Sequence, residues 1–207
     1  ETSEQKQNSS GAPLADVEEL QPSAAEEAAV LVVLTRAQDA SLVSTVSDLL
    51  LNCSKEANTV VIPRSDQFLE EVIKTGHGVL ARVLATDEIV GFGYLETWSD
   101  ADVVTHGGVV VHPQWRYRGL AKRIKQLLLE ASRSLYPTKA IVSITVHPAI
   151  MKINSQLGYI PERFEQLTTE ERFWNRCSTC TYYDTLERFR RRQCFCLGMA
   201  LRPAAEC

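Results

Sequence analysis

Two stretches of the 207-residue chain concentrate residues that can do chemistry. The first is Val109-Val-Val-His-Pro-Gln-Trp-Arg-Tyr-Arg-Gly-Leu-Ala121, where a β-branched run enters a proline turn. A loop holding Arg116, Arg118 and Gly119 follows, and then an amphipathic helix begins. Such a loop gathers backbone N–H groups at the positive end of a helix dipole, and glycine lets an anion approach the backbone closely. The two arginines add charge suited to a pyrophosphate. In the second stretch, Cys177-x2-Cys180 and Cys194-x-Cys196 are separated by thirteen residues. Two such pairs on tight turns can supply four thiolates to a tetrahedral zinc ion. Buried free thiols and a redox pair are the alternatives, while Cys53 and Cys207 have no cysteine neighbour.

Glu96, Asp100, Asp102, His106 and His112 fall near the ends of the central predicted strands, where each is a candidate to take a proton from a nucleophile. Each is equally well read as a solvated edge charge, and His112, preceding Pro113, can simply cap its strand. Trp115 and Tyr117 flank Arg116 and can either stack on a nucleotide base or close the core beneath the loop. Between the cysteine pairs, Arg188, Arg190, Arg191 and Arg192 form a basic cluster. Its default reading is a solvated face, with an anionic substrate or RNA contact as the sharper one.

The elements that must position these residues follow from hydrophobic periodicity. Val30–Thr35 reads as a buried strand, followed by helices over Ala40–Asn52 and Asp66–Thr75. Three strand-like runs, Gly78–Ala85, Glu88–Thr97 and Val103–Val111, are broken at Thr86-Asp87 and Ser99-Asp100 as in an antiparallel meander. A helix over Arg116–Leu135 turns Leu120, Ile124, Leu127, Leu128 and Ala131 inward. Ala140–Val146 is a further strand, and Pro148–Leu157 a helix closed by Gly158. Thr168-x-x-Glu171 has the form of a capping box for a short helix through Trp174. The whole is mixed α/β around one central sheet.

Composition bounds the rest. At 44% hydrophobic and 23% charged residues the chain has a globular composition, and its longest apolar run, Ala28–Leu34, is far short of the ~20 residues of a membrane span. The net charge of -4 is unevenly spread: residues 1–29 carry -6 and the remainder +2. The near-neutral body gives no electrostatic argument for nucleic acid. Residues 1–29, without an aromatic, read as a flexible acidic tail. The chain starts at Glu1 rather than methionine, as a processed terminus or a piece of a longer chain would. Clustered rather than distributed cysteines point to a reducing compartment.

The Arg116–Ala121 loop resembles the acetyl-coenzyme A signature of the GNAT superfamily of N-acetyltransferases, with Arg116, Gly119 and Ala121 at its defining positions. Thr145-Val-His-Pro-Ala-Ile-Met-Lys-Ile-Asn-Ser-Gln-Leu-Gly-Tyr159 is similar to the strand–helix ending of such enzymes. The resemblance spans residues 30–161, with 162–207 as a cysteine-rich C-terminal extension. It implies a mostly antiparallel, splayed central sheet flanked by helices, with the pantetheine arm of acetyl-coenzyme A beside Val109, Val110 and Val111. The residues Arg116, Tyr117, Arg118, Gly119, Leu120, Ala121 and Lys122 would hold the pyrophosphate. The general base would be a central-strand carboxylate, Glu96 first, with His106 second. Where members often place a tyrosine acid the chain has Asn154, whose amide can hydrogen-bond the sulfur or hold a water but supplies no proton.

The tail from Leu167 to Met199, together with Lys152–Tyr159, resembles a subgroup of Bacteroidetes-type bacteria associated with arginine biosynthesis. That resemblance implies an N-acyltransferase of the N-acetylglutamate synthase kind, acting on a small primary amine such as the α-amine of glutamate. A catalytically silent GNAT-fold subunit of a larger assembly, with protein partners on the tail and extension, is the second reading. A zinc-stabilised RNA-binding module is the third. The mitochondrial matrix suits a processed terminus and an arginine-pathway role, with the cytoplasm as the alternative.

Overall fold

The computed structural model describes residues 29–56, 60–97 and 101–203. The expected tail up to residue 28, Asp100 and Cys207 lie outside the described residues. Seven strands form one sheet in the order β1-β2-β3-β4-β5-β7-β6. They are β1 (Val30–Leu34), β2 (Gly78–Val83), β3 (Ile89–Thr97), β4 (Val103–Val111), β5 (Ala140–Thr145), β6 (Ile160–Pro161) and β7 (Leu197–Leu201). Every pairing is antiparallel except that of β4 with β5. The mixed α/β, mostly antiparallel sheet expected from the sequence is the one observed.

One face of the sheet carries α1 (Val43–Ser54, entered through a 3-10 turn over Ala37–Leu42) and α2 (Asp66–Lys74). Ser65 caps α2 by accepting a hydrogen bond from the Phe68 N–H at 3.2 Å. These helices press Val46, Leu49, Leu50, Leu69 and Ile73 against Leu80, Phe92, Tyr94 and Val110. The other face carries α3 (Leu120–Leu135), which buries Leu120, Ile124, Leu128 and Ala131 against Val79, Ala81, Leu95, Val104 and Val111. Ile124 sits so close to β3 that a Cβ on Gly93 would fall 2.8 Å from its Cγ2. Truncating such a fully buried side chain to alanine costs about 2–5 kcal/mol.

The helix expected from Arg116 begins at Leu120 instead, because Tyr117 (φ 64°) and Gly119 (φ 79°) take left-handed backbone conformations. The loop before it is thereby held out of the helix. After β5 come α4 (Pro148–Gln156), closed at Gly158 with φ 89°, and β6. The chain then forms three short helices, α5 (Phe164–Leu167), α6 (Glu171–Asn175) and α7 (Tyr183–Arg188). The cap of α6 is Glu170, which accepts from the Arg172 N–H at 3.0 Å, rather than Thr168, which accepts from the Glu170 N–H.

Strand β7 has no counterpart in the sequence reading, yet it lies inside the sheet between β5 and β6. Gly198 makes the fit: a Cβ there would meet the Leu167 side chain at 2.7 Å. The region read as an extension thus returns to complete the sheet, and it brings Phe164, Leu167, Phe173, Trp174 and Leu186 into a core with Val103 and Val142. Among the described residues no helix is long and apolar enough to cross a membrane.

Candidate active site

The site follows from a three-residue ladder. Strands β4 and β5 pair only at Val103–Ala140, Val104–Ile141 and Thr105–Val142. Beyond that point β4 runs on to Val111 and β5 to Thr145 without pairing to each other, so the two strands splay. A bulge accompanies the parting. Phe92 opposes Val110 and Tyr94 opposes Gly107, so Gly108 and Val109 together face the single residue Gly93. Gly108 has φ 58°, and a Cβ there would fall 2.5 Å from the Tyr94 ring, so only glycine fits. The bulge takes backbone groups of Gly108 and Val109 out of regular pairing with β3, at the mouth of the splay.

A cavity of about 160 Å³ occupies the opening. Its walls include Gly107, Gly108 and Val109 from β4, Ser143 to Thr145 from β5 with Val146 after it, Tyr94 from β3, and Arg64 from the α1–α2 connection. Cys177, Cys180, Cys194 and Cys196 also line it. Of the proton acceptors proposed from the sequence, His106 alone among the described residues lies on its wall.

The Arg116–Lys122 loop behaves as an anion cradle by a division of labour. Gly119 is the N-cap of the 16-residue α3 and supplies no side-chain cap, which leaves the first helical N–H groups without an intrahelical partner. No atom lies within 4 Å of a Cβ built on Gly119, so the approach to those N–H groups is open. Arg116 turns inward: its Nε donates to the Val111 carbonyl at 3.0 Å and its Nη2 pairs with Glu56 at 2.5 Å. It ties the loop to the end of β4, and the free charge comes from Arg118 and Lys122, both exposed. Trp115 packs against the α3 core with the Arg118 guanidinium 4.7 Å over its ring, while Tyr117 is fully exposed. Of the two aromatics, Trp115 closes the core and Tyr117 is free to meet a ligand.

Glu96, the first-choice base, is half-buried and ion-paired with Arg176 at 2.9 Å, and it does not line the cavity. Arg176 also donates to Thr105 Oγ1 at 2.6 Å, which pins the last paired residue of β4 before the splay. Asn154 is wholly buried, its Nδ2 donating to Met199 Sδ at 3.7 Å, and it lies off the cavity wall. Asp102 is exposed, and His112 lies past the end of β4 at the turn before Trp115.

His106 belongs to a polar cluster that the sequence reading did not assemble. Its Nε2 lies 2.8 Å from Ser132 Oγ, and its Nδ1 lies 3.0 Å from the Tyr159 hydroxyl and 3.4 Å from Lys125 Nζ. Lys125 is entirely buried, 4.8 Å over the Tyr159 ring, with no carboxylate partner among the described residues. Burial pushes the Lys125 amine down from 10.5 to about 7. Burial, reinforced by the nearby charges of Lys125 and Arg133, also pushes His106 well below its ordinary value, so its ring stays neutral. The signal was present in α3: Lys125, Leu128 and Ser132 share the buried stripe at i, i+3 and i+7.

The cysteines meet on the cavity wall with free thiols. Burial raises the Cys177 thiol above its ordinary value, and burial together with the neighbouring Cys194 raises that of Cys196. Among the described residues no group of three or more His, Cys, Asp or Glu is arranged to hold a metal ion. The four thiols expected as a zinc set stand near one another on the wall without that arrangement. Within the arginine cluster, Arg191 pairs with Glu171 at 2.7 Å and Arg192 with Glu165 at 3.5 Å, an ion-paired outer face.

A sheet splayed beside a glycine bulge, with an open helix N-terminus next to it, is the architecture of an acyl-coenzyme A-binding fold. The Acetyltransferase (GNAT) family profile matches residues 46–150, just over half of the chain, and the chain belongs to that family. The fold is similar to that of N-acetylglutamate synthase from Neisseria gonorrhoeae, complexed with coenzyme A and N-acetyl-glutamate (TM-score 0.60, 14% identity). That similarity covers 84% of this chain, which spans only 35% of the Neisseria chain. Rv2747 from Mycobacterium tuberculosis, in complex with CoA and NLQ, is similar at TM-score 0.60 and 16% identity, over 83% of this chain and 98% of its own. A phosphinothricin acetyltransferase from Sinorhizobium meliloti in complex with AcCoA gives TM-score 0.58 at 13% identity, over 86% and 92%. No curated protein matches the chain.

Proposed function

We propose that the chain transfers an acetyl group from acetyl-coenzyme A to a small primary amine, with the α-amine of glutamate the first acceptor to test. The observation that supports this most is the parting of β4 and β5 after Thr105–Val142, with the Gly108 bulge at its mouth and the open N-terminus of α3 alongside. The cradle suits the pyrophosphate, and the splay suits a slender arm lying along Val109 to Val111. Glutamate is favoured by the Neisseria gonorrhoeae neighbour, complexed with coenzyme A and N-acetyl-glutamate.

The amine nitrogen attacks the thioester carbonyl carbon. A C–N bond forms, the C–S bond breaks, and the sulfur leaves as thiolate to be protonated from solvent. Backbone N–H groups freed at the bulge polarise the carbonyl oxygen as charge develops on it. An acceptor arrives as an ammonium and must lose a proton first. His106 stands on the cavity wall with both ring nitrogens engaged inside the cluster, so it orders that cluster, and the Lys125 amine behind it, poised near neutrality, is the group that can hold the proton. Glu96 keeps Arg176 and Thr105 in place and is not needed as the base.

The test is mass-spectrometric detection of acetylated product from acetyl-coenzyme A and a panel of amines that includes glutamate. Product with an amine is the expected outcome. Acetyl-coenzyme A bound without transfer to any amine would favour the silent-subunit reading, and neither binding nor transfer would overturn the assignment of the Arg116–Lys122 loop.

A further inference from the structure

Arg64 stands in the segment between α1 and α2, directly before the Ser65 cap, and lines the cavity opposite the splayed strands. Its guanidinium is fixed from two sides. Nε donates to the Tyr94 hydroxyl at 2.7 Å, and the guanidinium carbon sits 5.3 Å over the Phe68 ring and 5.8 Å over that of Tyr94. Phe68 and Tyr94 are themselves edge-to-face at 5.2 Å. The Tyr94 ring in turn backs onto the bulge, since Cβ atoms on Gly107 and Gly108 would fall within 2.8 and 2.5 Å of it. A rigid chain of contacts thus runs from the bulge through Tyr94 to Arg64.

That arrangement uses one N–H of the Arg64 fork and leaves both Nη groups without a hydrogen-bond or carboxylate partner among the described residues. Arg176, the other arginine on the cavity wall, is neutralised by Glu96. Among the described residues no aspartate or glutamate lines the cavity. Among the described residues the pocket therefore presents one uncompensated, preorganised guanidinium, and it repels an acceptor bearing a second cation. Arg64 does not belong to the pyrophosphate cradle. Tyr94, which holds it, packs into the core under α1 and α2, whereas the cradle opens α3 on the opposite face.

We propose that Arg64 binds the carboxylate of the acceptor, so that the acceptor is an amino acid or another amine bearing a carboxylate rather than a simple alkyl or aryl amine. This rests on the acetyl-transfer reading above and sharpens it from an amine to a class of amines. The planar fork matches a carboxylate with two parallel N–H···O bonds, and the stack on Phe68 and Tyr94 holds it in place before binding.

The experiment compares wild type, Arg64→Gln and Arg64→Lys on matched acceptors: glutamate, glutamine, isoglutamine and glutamic diamide, with aspartate and its amides beside them. Thermal melting checks that each variant is folded. The wild type is expected to use an acid at least about tenfold better than its diamide. Arg64→Gln is expected to lose that preference through a roughly 10- to 100-fold rise in acceptor KM with kcat little changed, and Arg64→Lys to keep part of it. A turnover-free arm measures binding of N-acetylglutamate and its diamide to the protein saturated with coenzyme A. Acids and amides used equally, or an acid preference that survives in Arg64→Gln, would overturn the role of Arg64 while leaving acetyl transfer standing. If no amine is acetylated, yet the acid binds better than the diamide and Arg64→Gln abolishes the difference, Arg64 stands and the transfer reading falls. Neither transfer nor acid-selective binding overturns both.

Discussion

The two parts of the candidate site, the loop that opens α3 and the cavity wall at the splay, are built in opposite ways. The loop proposed to hold the cofactor is local: the end of β4, the Pro113 turn, the Arg116–Gly119 segment and the first turn of α3 follow one another along the chain. The wall proposed to meet the acceptor is assembled from distant pieces. Arg64 comes from the α1–α2 connection, Tyr94 from β3, and Arg176 with the four cysteines from the segment that leads to β7. A local device can be carried by a few residues of backbone shape. A distributed one depends on every intervening contact, so it is the side that should fail cooperatively.

Gly108 tests this most severely. In Gly108→Ala the new Cβ would lie 2.5 Å from the Tyr94 ring at a backbone φ of 58°, so Tyr94 must move and Arg64 with it. Steady-state kinetics should show kcat/KM for the acceptor reduced about 100-fold, since displacements of an ångström cost that much. Binding of acetyl-coenzyme A to the loop should weaken far less. An equal loss on both sides would break the comparison.

Lys125 probes the buried cluster behind His106. The unfolded chain keeps this proton up to about pH 10.5, whereas the folded protein releases it at about 7. Between those values the unfolded state binds more protons, so stability rises with pH by up to about 1.4 kcal/mol per unit. Below pH 7 both states are protonated and this dependence vanishes. Lys125→Met should be more stable than wild type at pH 7.5 and should flatten the curve from 7 to 10, as measured by urea denaturation. If the amine holds the substrate proton, the same variant also loses the acid limb of its kcat/KM profile. A wild-type stability that is level across this window would mean that the amine is solvated.

The legibility of the molecule follows the same division. The strands from β1 to β5, the helices α1 to α4 and the Gly158 stop were readable because each rests on periodicity or on a local cap. The Arg116–Gly119 loop was readable for the same reason. Strand β7 was missed because Gly198, which weakens a strand by propensity, is needed there only to admit Leu167 from a distant helix. Arg64 carries no motif, and its importance arises from Tyr94, thirty residues away. Glu96 looked like a base on its strand, but its partner Arg176 is eighty residues further along. Lys125 was hidden by the habit of reading a lysine in an amphipathic helix as exposed.

Glu96→Gln therefore measures how much of the acceptor side is support rather than chemistry. With the carboxylate gone, the half-buried Arg176 keeps its charge but loses its counterion, a loss of roughly 1 kcal/mol in thermal or urea unfolding after allowance for partial exposure. The kcat is expected to stay within about tenfold of wild type. A fall of about 100-fold or more, the range for removal of a general base, would return Glu96 to the chemistry.

The smallest effect belongs to the cofactor side. Tyr117 holds a left-handed φ of 64° with its ring fully exposed, an arrangement that costs stability and makes no packing contact in return. Tyr117→Gly relieves the backbone and should raise stability by about 0.5–1 kcal/mol. If the ring meets the adenine, the same change removes a stacking contact of about 0.5–1 kcal/mol and raises the KM for acetyl-coenzyme A roughly two- to fivefold. The acceptor KM should not move, because Tyr117 reaches none of the residues that hold Arg64. A variant that gains stability and keeps its acetyl-coenzyme A KM would leave the strained tyrosine without a ligand-binding purpose. Weakened acetyl-coenzyme A binding with acceptor binding intact would confirm that the two sides are recognised by separable parts of the fold.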